Sequence, residues 1–170
     1  PGWESRPGTR FHYSNTNFVL LALIIEKVSG EPFPVYMKKT LFDPLQMTHT
    51  YVVNSAVNPS FEWNGGYWQP DAFDCTYGDK NIYTTPRDLL KWDQAMYEGR
   101  LFDQQTLDSI FAPRSNERPS IHNYGLAWRM LNLKNGKKVI YHNGRWHGTN
   151  ACFARLTDEK TTIIVVGNKY

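Results

Sequence analysis

The stretch Phe11-His12-Tyr13-Ser14-Asn15, followed closely by the apolar run 18–25, decides how this chain folds. Every residue of the run is apolar, which predicts a helix with no polar stripe that is buried on all sides. Ser14 or Asn15 is well placed to cap its start, and Gly30 to end it. The run is too short to cross a bilayer, which needs about 20 apolar residues. Tyr13 and Asn15 therefore present polar groups at the start of a rigid helix. A capped core helix in which Tyr13 has no function would show the same sequence pattern.

The composition is that of one globular domain. Of its 170 residues, 41% are hydrophobic and 21% are charged, which suffices to bury a core. The net charge is +3 and no basic run is longer than a lysine pair, so nucleic acid is not an expected partner. Cys75 and Cys152 could pair or remain free thiols. No membrane span or signal peptide is recognisable, and the start at Pro1 leads us to expect more chain upstream.

The first part of the chain is predicted to consist of helices and loops. A second helix is expected over 35–41. The segment 45–79 is irregular apart from a short strand at 51–53, and it is either a functional loop or an aromatic surface excursion. Thr85 with Pro86 predicts the start of another helix, and Asp103 predicts the cap of a shorter one.

From about residue 121 the hydrophobic period changes to two residues. The strands expected from this pattern are 125–133, 137–142, 150–156 and 161–166. Asn135-Gly136 is a strong signal for a two-residue hairpin turn. Residues 1–120 are therefore predicted as mainly helices and loops and 121–170 as antiparallel strands, which is an α+β fold.

The segment 142–149 contains residues that could carry chemistry. His142 is expected at the end of an edge strand, and Gly144 follows it closely, which would let a substrate approach the backbone. His142 and His147 do not have a helical metal-binding spacing, and the local sequence offers no carboxylate, so a metal is not expected. On local sequence alone, a long hairpin loop with polar residues facing water is an equal alternative.

Several motifs occur in the order that characterises serine β-lactamases and penicillin-binding proteins. They are Pro7-Gly8-Thr9-Arg10-Phe11-His12-Tyr13-Ser14-Asn15, Glu26-Lys27-Val28-Ser29-Gly30, Pro44-Leu45-Gln46-Met47-Thr48-His49-Thr50, Thr85-Pro86-Arg87-Asp88-Leu89, His142-Asn143-Gly144 and Val165-Val166-Gly167-Asn168. The chain resembles this superfamily over nearly its whole length. The resemblance is greatest to the branch of class C β-lactamases, DD-peptidases and related esterases.

The resemblance implies acyl transfer to the serine of a Ser-x-x-Lys motif. It assigns Tyr13 to proton transfer between that serine and the leaving group. Asn15 would hydrogen-bond the substrate or the motif lysine. His142 would polarise the Tyr13 hydroxyl or orient the substrate, and the Arg145 backbone N–H would be one oxyanion-hole donor.

The third motif also implies the substrate-binding residues, and it departs from the family pattern. Asn143, Gly144 and Trp146 would line the substrate site, and no cofactor or metal is implied. Asn143 stands where the family has a hydroxyl residue, and Arg145-Trp146 is bulky for a strand edge. No serine of the chain is followed by a lysine three residues later.

We therefore interpret the chain as the C-terminal portion of one β-lactamase-like domain, an incomplete fold. The parent protein would hydrolyse an amide or ester through an acyl-serine, and the chain alone would be inactive. The alternatives are a non-catalytic binding protein of the same fold and a structural domain. A small-molecule or peptidoglycan-like substrate, a location outside the cytoplasm, and another chain covering exposed apolar surface are further expectations.

Overall fold

The computed structural model describes residues 5–53, 60–115 and 120–169, so positions 54–59 of the predicted irregular segment lie outside the described residues. The helices are α1 (Asn15–Ser29), α2 (Phe33–Met37), α3 (Pro86–Tyr97) and α4 (Gln104–Ile110). The strands are β1 (Tyr51–Val52), β2 (Ile82–Tyr83), β3 (His122–Tyr124), β4 (Arg129–Asn132), β5 (Lys138–Trp146), β6 (Thr149–Leu156) and β7 (Thr161–Gly167). β1 pairs with β2, and the other five form an antiparallel meander in chain order. The predicted α+β class is confirmed.

Helix α1 has the predicted ends but not the predicted burial. Ser14 is its N-cap residue, and Gly30 ends it in the left-handed conformation with φ 73°. Ala22 is its one buried residue, whereas Leu20 and Ile24 are 50% and 54% exposed. The prediction of a helix buried on all sides is therefore wrong for the described chain. The loop at Gly78 covers one side so closely that a Cβ there would lie 2.4 Å from the Phe18 carbonyl oxygen.

Glu26 joins α1 to two neighbouring segments. Its carboxylate accepts the Phe33 backbone N–H at 2.8 Å and the Tyr77 hydroxyl at 2.6 Å. The Tyr77 hydroxyl, followed by the Phe33 N–H, keeps the pKa of Glu26 below its ordinary value. The helix predicted over 35–41 begins earlier than expected, at Phe33, and continues after Met37 as a π-helical turn, Lys38–Phe42.

Helix α3 is held to the loop before β1 by a buried carboxylate. Thr85 caps the helix by accepting the Asp88 N–H at 3.2 Å, and Pro86 is its first residue, as predicted. Asp88 accepts the His49 N–H at 2.8 Å and the Thr50 hydroxyl at 3.0 Å, and it pairs with Lys91 at 2.9 Å. The two motifs that contain Thr50 and Asp88 thus meet in space. Burial opposes ionisation of Asp88, but the Lys91, His49 and Thr50 contacts outweigh it and lower its pKa.

Two sequence predictions for the sheet are wrong. The strand expected over 125–133 begins only at Arg129: β3 ends at Tyr124, and a turn closed by the Gly125 N–H on the Trp128 carbonyl oxygen at 2.8 Å lies between β3 and β4. The segment 142–146 is not a hairpin loop, because β5 continues through it to Trp146. The eight-residue pairing with β6, from Val139 to Trp146, keeps this segment extended.

The core lies on both sides of α3. Toward α1 and α2 it contains Ala22, Phe33, Phe42, Leu45, Met47, Val52 and Ala95, and toward the sheet it contains Met96, Trp128, Met130, Ile140 and Phe153. On the opposite face of the sheet, Ile163 and Val165 of β7 are 51% and 56% exposed. Cys75 and Cys152 are not bonded to each other. Among the described residues, none of the helices is long and apolar enough to cross a membrane.

Asp88→Ala should lower the free energy of unfolding by about 2–4 kcal/mol, because the buried Thr50 hydroxyl and the part-buried His49 N–H lose their acceptor. Urea unfolding at pH 7 measures this loss. The difference in unfolding free energy between the variant and the unsubstituted protein should become smaller as pH falls below 3.8, the ordinary pKa. The interactions that lower the pKa of Asp88 stabilise the fold only while its carboxyl is ionised. Asp158→Ala, an exposed control on the β6–β7 turn, should change stability by less than about 0.5 kcal/mol. Equal losses of unfolding free energy in the two variants would contradict a stabilising role for the Asp88 carboxylate.

Candidate active site

β5 changes from an interior strand to an edge strand in the middle of its length. It pairs with β4 from Lys138 to Tyr141, where Arg129 is the last partner. Within the described residues, the following segment 142–146 pairs with β6 alone. The expected edge strand at His142 is therefore present, although β5 as a whole is internal. Backbone N–H and C=O groups of such an edge can pair with an extended ligand.

Tyr13 lies against this edge. Its ring stacks on the His142 imidazole with 6.2 Å between centroids and 25° between planes. The ring of Tyr124, the last residue of β3, meets both rings edge-on, at 6.0 Å from each. The start of α1 and the open part of β5 thus come together as the sequence predicted, while Tyr124 is an additional member of the cluster.

Hydrogen bonds fix the tautomer of His142. Its Nδ1 lies 2.8 Å from the Asn143 carbonyl oxygen, so this nitrogen carries the proton and donates. Nε2 lies 3.1 Å from the Tyr124 hydroxyl and therefore accepts a hydrogen bond from it. Burial lowers the pKa of His142, partly opposed by the Asn143 carbonyl and reinforced by Arg129. The imidazole is thus neutral near pH 7.

Arg129 brings positive charge to the two phenols. Its guanidinium carbon lies 5.4 Å from the Tyr13 ring centroid and 5.8 Å from that of Tyr124. Burial and the neighbouring Tyr13 raise the pKa of Tyr124, and Arg129 opposes them. Arg129 thus makes cation–π contacts with both rings, of which Tyr13 is the more exposed.

The other predicted site residues are placed at different distances from this cluster. Asn15 is the first residue of α1 and is exposed. Because side chains alternate along a strand, Gly144 lies on the same face of β5 as His142, whereas Asn143 and Arg145 lie on the opposite face. An oxyanion-hole role for Arg145 therefore concerns its backbone N–H.

Trp146 shares the face of His142 and stands about 13 Å along the strand from it, at about 3.3 Å per residue. Its indole N–H donates to the Asp74 carboxylate at 2.5 Å, and His147 Nε2 donates to the same oxygen at 2.8 Å. Asp74 is buried at the 3₁₀ turn 72–75, where it also accepts the Asp71 N–H at 2.7 Å. Burial opposes ionisation of Asp74, but the bonds from Trp146, Asp71 and His147 prevail and lower its pKa.

The expectation that no carboxylate stands near the histidines is wrong. Asp71 and Asp74 come from the predicted irregular segment, and their oxygens lie with His147 Nε2 within 4.8 Å of one another. This is a spacing that could hold a metal ion. The Asp74 oxygen in this group already accepts hydrogen bonds from Trp146 and His147, so hydrogen bonds account for the cluster.

A glycine at the β5–β6 turn allows this packing. A Cβ on Gly148 would lie 2.2 Å from the Phe61 carbonyl oxygen, so only glycine fits where the loop crosses the hairpin. Sequence reasoning missed Asp74, Tyr124 and Arg129. The spacing gave no signal for Asp74, but a tyrosine before glycine at the start of the strand region, as in Tyr124-Gly125, could have marked the break between β3 and β4.

An open apolar cavity of about 560 Å³ adjoins Tyr13 and Tyr124. Its walls come from the start of α1, from α3 and from the turn between β3 and β4, and they include Phe18, Trp92 and Trp128. A cleft beside a polar cluster is a common setting for a substrate group. The site therefore combines a phenol, an imidazole, an open strand edge and an apolar recess.

This fold and site define an α+β protein of the β-lactamase and penicillin-binding type. The sequence model of the Beta-lactamase family matches residues 1–170. Penicillin-binding protein 4* of Bacillus subtilis (strain 168) is 30% identical over 184 aligned residues, covering 96% of this chain and 41% of that protein. The chain belongs to the Beta-lactamase family, as the sequence motifs predicted.

Two further relatives are hydrolases by name. Teichoic acid D-alanine hydrolase of Staphylococcus aureus (strain NCTC 8325 / PS 47) is 26% identical, with 85% of this chain and 40% of that protein covered. The crystal structure of a D-stereospecific amidohydrolase from Streptomyces sp. superposes with a TM-score of 0.78 at 25% identity, covering 97% of this chain and 52% of that one. The chain thus spans about half or less of the length of the relatives it matches.

NMR titration of His142 should give a pKa below the ordinary value of 6.5, with the proton of the neutral ring on Nδ1. Because the folded protein takes up this proton less readily than the unfolded chain, the contribution of His142 to stability falls as pH drops below 6.5. Tyr124→Phe should shift the Nε2 signal, whereas the remote control Tyr51→Phe should not. A pKa above 6.5, or a neutral ring protonated on Nε2, would contradict the geometry.

Proposed function

We propose that this chain is part of a serine hydrolase that cleaves an amide or ester through an acyl-serine intermediate. The observation that carries the proposal is the stacking of Tyr13 on His142 where β5 loses its second strand partner. A proton-transfer group beside an open strand edge suits a substrate that lies extended along the strand. Family membership supports the same class of chemistry.

The proposed roles follow from the contacts of each residue. Tyr13 transfers the proton between the nucleophile and the leaving group, with the Arg129 guanidinium beside its ring. His142 has both ring nitrogens engaged, which supports a role in orienting Tyr124 and the substrate rather than in proton transfer. Asn15, two residues from Tyr13, hydrogen-bonds the substrate or the lysine of the nucleophile motif.

β5 is proposed to bind the acyl group. The Arg145 backbone N–H is one donor to the oxyanion that forms as the carbonyl is attacked. Gly144 leaves room for the substrate backbone, and Trp146 lines the substrate site on the face of His142. Asn143, whose side chain lies on the opposite face, lines the site through its backbone. The Trp146 indole is fixed by Asp74, so it offers a rigid aromatic wall at the far end of the edge.

The nucleophile is proposed to be a Ser-x-x-Lys serine encoded outside these 170 residues. Three observations support this: no serine of the chain has a lysine three residues later, the chain spans 41% of Penicillin-binding protein 4*, and apolar side chains lie exposed along α1 and β7. An additional segment or another chain that covers this surface would bury Leu20, Ile24 and Val165. The chain by itself is then inactive.

The proposed substrate carries a D-aminoacyl group, as a D-alanyl ester or a D-amino acid amide. Two relatives bear such substrates in their names, a teichoic acid D-alanine hydrolase and a D-stereospecific amidohydrolase. Relatives are also named for penicillin binding and for teichoic acid. A place of action outside the cytoplasm is proposed for this protein on the same grounds.

In the full-length protein, Tyr13→Phe should lower turnover of a D-alanyl ester by roughly 10²–10⁴-fold, the usual contribution of a general acid–base group. Stopped-flow measurement of the acyl-enzyme burst with a chromogenic ester gives the rate. The control Tyr51→Phe makes the same chemical change at a remote site and should leave the burst unchanged, and the 170-residue chain should show no burst. Covalent labelling of that chain by a fluorophosphonate would contradict the proposal, and saturable binding without a burst in the full-length protein would favour a non-catalytic role.

Gly144→Ala should reduce kcat/KM by about tenfold or more, because a methyl group would intrude where the substrate backbone approaches. The fold should tolerate it, since the added Cβ would lie 3.6 Å from the Ala151 Cβ, an ordinary contact. Melting temperature and ester turnover, measured together, separate the two effects. Unchanged turnover would exclude the strand edge at Gly144 as the substrate site.

A further inference from the structure

A second cavity, of about 610 Å³, lies on the helical side of the sheet and away from Tyr13. Residues of α3 and α4 form one wall and residues of β5 and β6 the other. Ile140, in its wall, is two residues before His142 on β5, and none of the proposed catalytic groups lines the cavity. Its lining includes three cationic side chains, namely those of Lys138, Arg155 and Lys160.

Arg155 is buried in this wall and has N–H groups without a hydrogen-bond acceptor. It is 2% exposed, and its Nε lies 2.6 Å from the Asp93 carboxylate. This contact is an ion pair without hydrogen-bond geometry, so the Nε N–H is unmatched. Of the five N–H groups of a guanidinium, only one on Nη1 has a weak contact, to the Met96 sulfur at 4.0 Å. The other four have no hydrogen-bond acceptor among the residues that the structure describes. A buried guanidinium with unmatched donors favours a hydrogen-bonding ligand.

The balance of charge in the cavity favours an anion. Asp93 neutralises Arg155 and also accepts the Thr162 hydroxyl at 2.7 Å, so its second oxygen is occupied. Lys138 and Lys160 add two positive charges, against one negative charge at Asp108. Lys138 Nζ has a long contact of 3.4 Å to the Phe111 carbonyl oxygen, which leaves it able to bind a stronger acceptor.

Aromatic rings beside the cations suggest what the anion is attached to. The guanidinium carbon of Arg155 lies 4.2 Å from the Tyr97 ring centroid and 5.6 Å from that of Phe111. Both rings line the cavity, together with Leu107 and Ile140. The volume exceeds what a small inorganic ion needs, and the apolar wall can take a ring or a short chain.

We propose that this cavity binds a small organic oxyanion, a carboxylate or phosphate ester that carries an aromatic or apolar group. Its oxygens accept hydrogen bonds from the unmatched N–H groups of Arg155 and from Lys138. Its apolar part packs between α4 and Ile140. The site is separate from the proposed catalytic cleft and does not depend on the proposed hydrolase activity.

The test is a calorimetric titration of the full-length protein with phenyl phosphate, benzoate, inorganic phosphate and the neutral analogue phenol. Phenyl phosphate or benzoate should bind saturably, and the one that binds more tightly identifies the headgroup. Inorganic phosphate should bind more weakly, and phenol should show no saturation. The side-chain NMR signals of Arg155 should shift along the same binding curve.

Lys138→Gln should raise the Kd by about tenfold or more, the range expected for loss of a charged hydrogen bond. Lys134→Gln makes the same charge change at an exposed position of the β4–β5 hairpin and should leave the Kd unchanged. Absence of saturable binding by both organic anions would overturn the proposal. An equal rise in Kd for the two variants would also overturn it. So would binding during which the side-chain NMR signals of Arg155 do not shift.

Discussion

The structure of the site depends on the length of β4. Its register with β5 ends at the pair Arg129–Tyr141, and β5 continues for five more residues with β6 as its strand partner. A longer β4 would occupy the edge that faces Tyr13. The break that shortens it is the turn between β3 and β4, where a Cβ on Gly125 would lie 2.4 Å from the Ile110 carbonyl oxygen. Packing of α4 against this turn therefore determines where the sheet opens.

Three carboxylates hold the loops that surround this opening. Glu26 joins α1 to Tyr77, Asp88 joins α3 to the loop before β1, and Asp74 joins the 3₁₀ turn to the end of β5. In each case hydrogen bonds lower the pKa of the carboxyl. Their contribution to stability is present above the ordinary pKa of a carboxyl and is lost as pH falls through the lowered value. The irregular part of the chain is thus fixed by hydrogen-bonded, ionised carboxylates as well as by its apolar core.

The sequence predicted what is encoded locally. The ends of α1 at Ser14 and Gly30 and the cap at Thr85 follow from short-range rules. A hairpin forms at Asn135-Gly136 as well, but its register, with Asn132 opposite Lys138, leaves a longer loop than the predicted two-residue turn. The hydrogen bond between Asp74 and Trp146 joins residues 72 positions apart, and no local sequence pattern predicts it. The turn at Gly125 depends on contact with α4, so the strand that begins at Arg129 was predicted to begin too early, at residue 125. The ordered motifs indicated that Tyr13 and His142 would meet, whereas Tyr124 between them follows from the tertiary structure.

Tyr13 is proposed to exchange a proton with a serine contributed from outside the 170 residues. A crystal structure of the full-length protein labelled with a fluorophosphonate tests it most directly, through the distance from the Tyr13 hydroxyl to the Oγ of the labelled serine. We expect a Ser-x-x-Lys serine outside these residues, with its Oγ within hydrogen-bond reach, about 2.6–3.2 Å. A label on a serine of the described chain, or a separation of more than about 6 Å, roughly two hydrogen-bond lengths, would contradict the account.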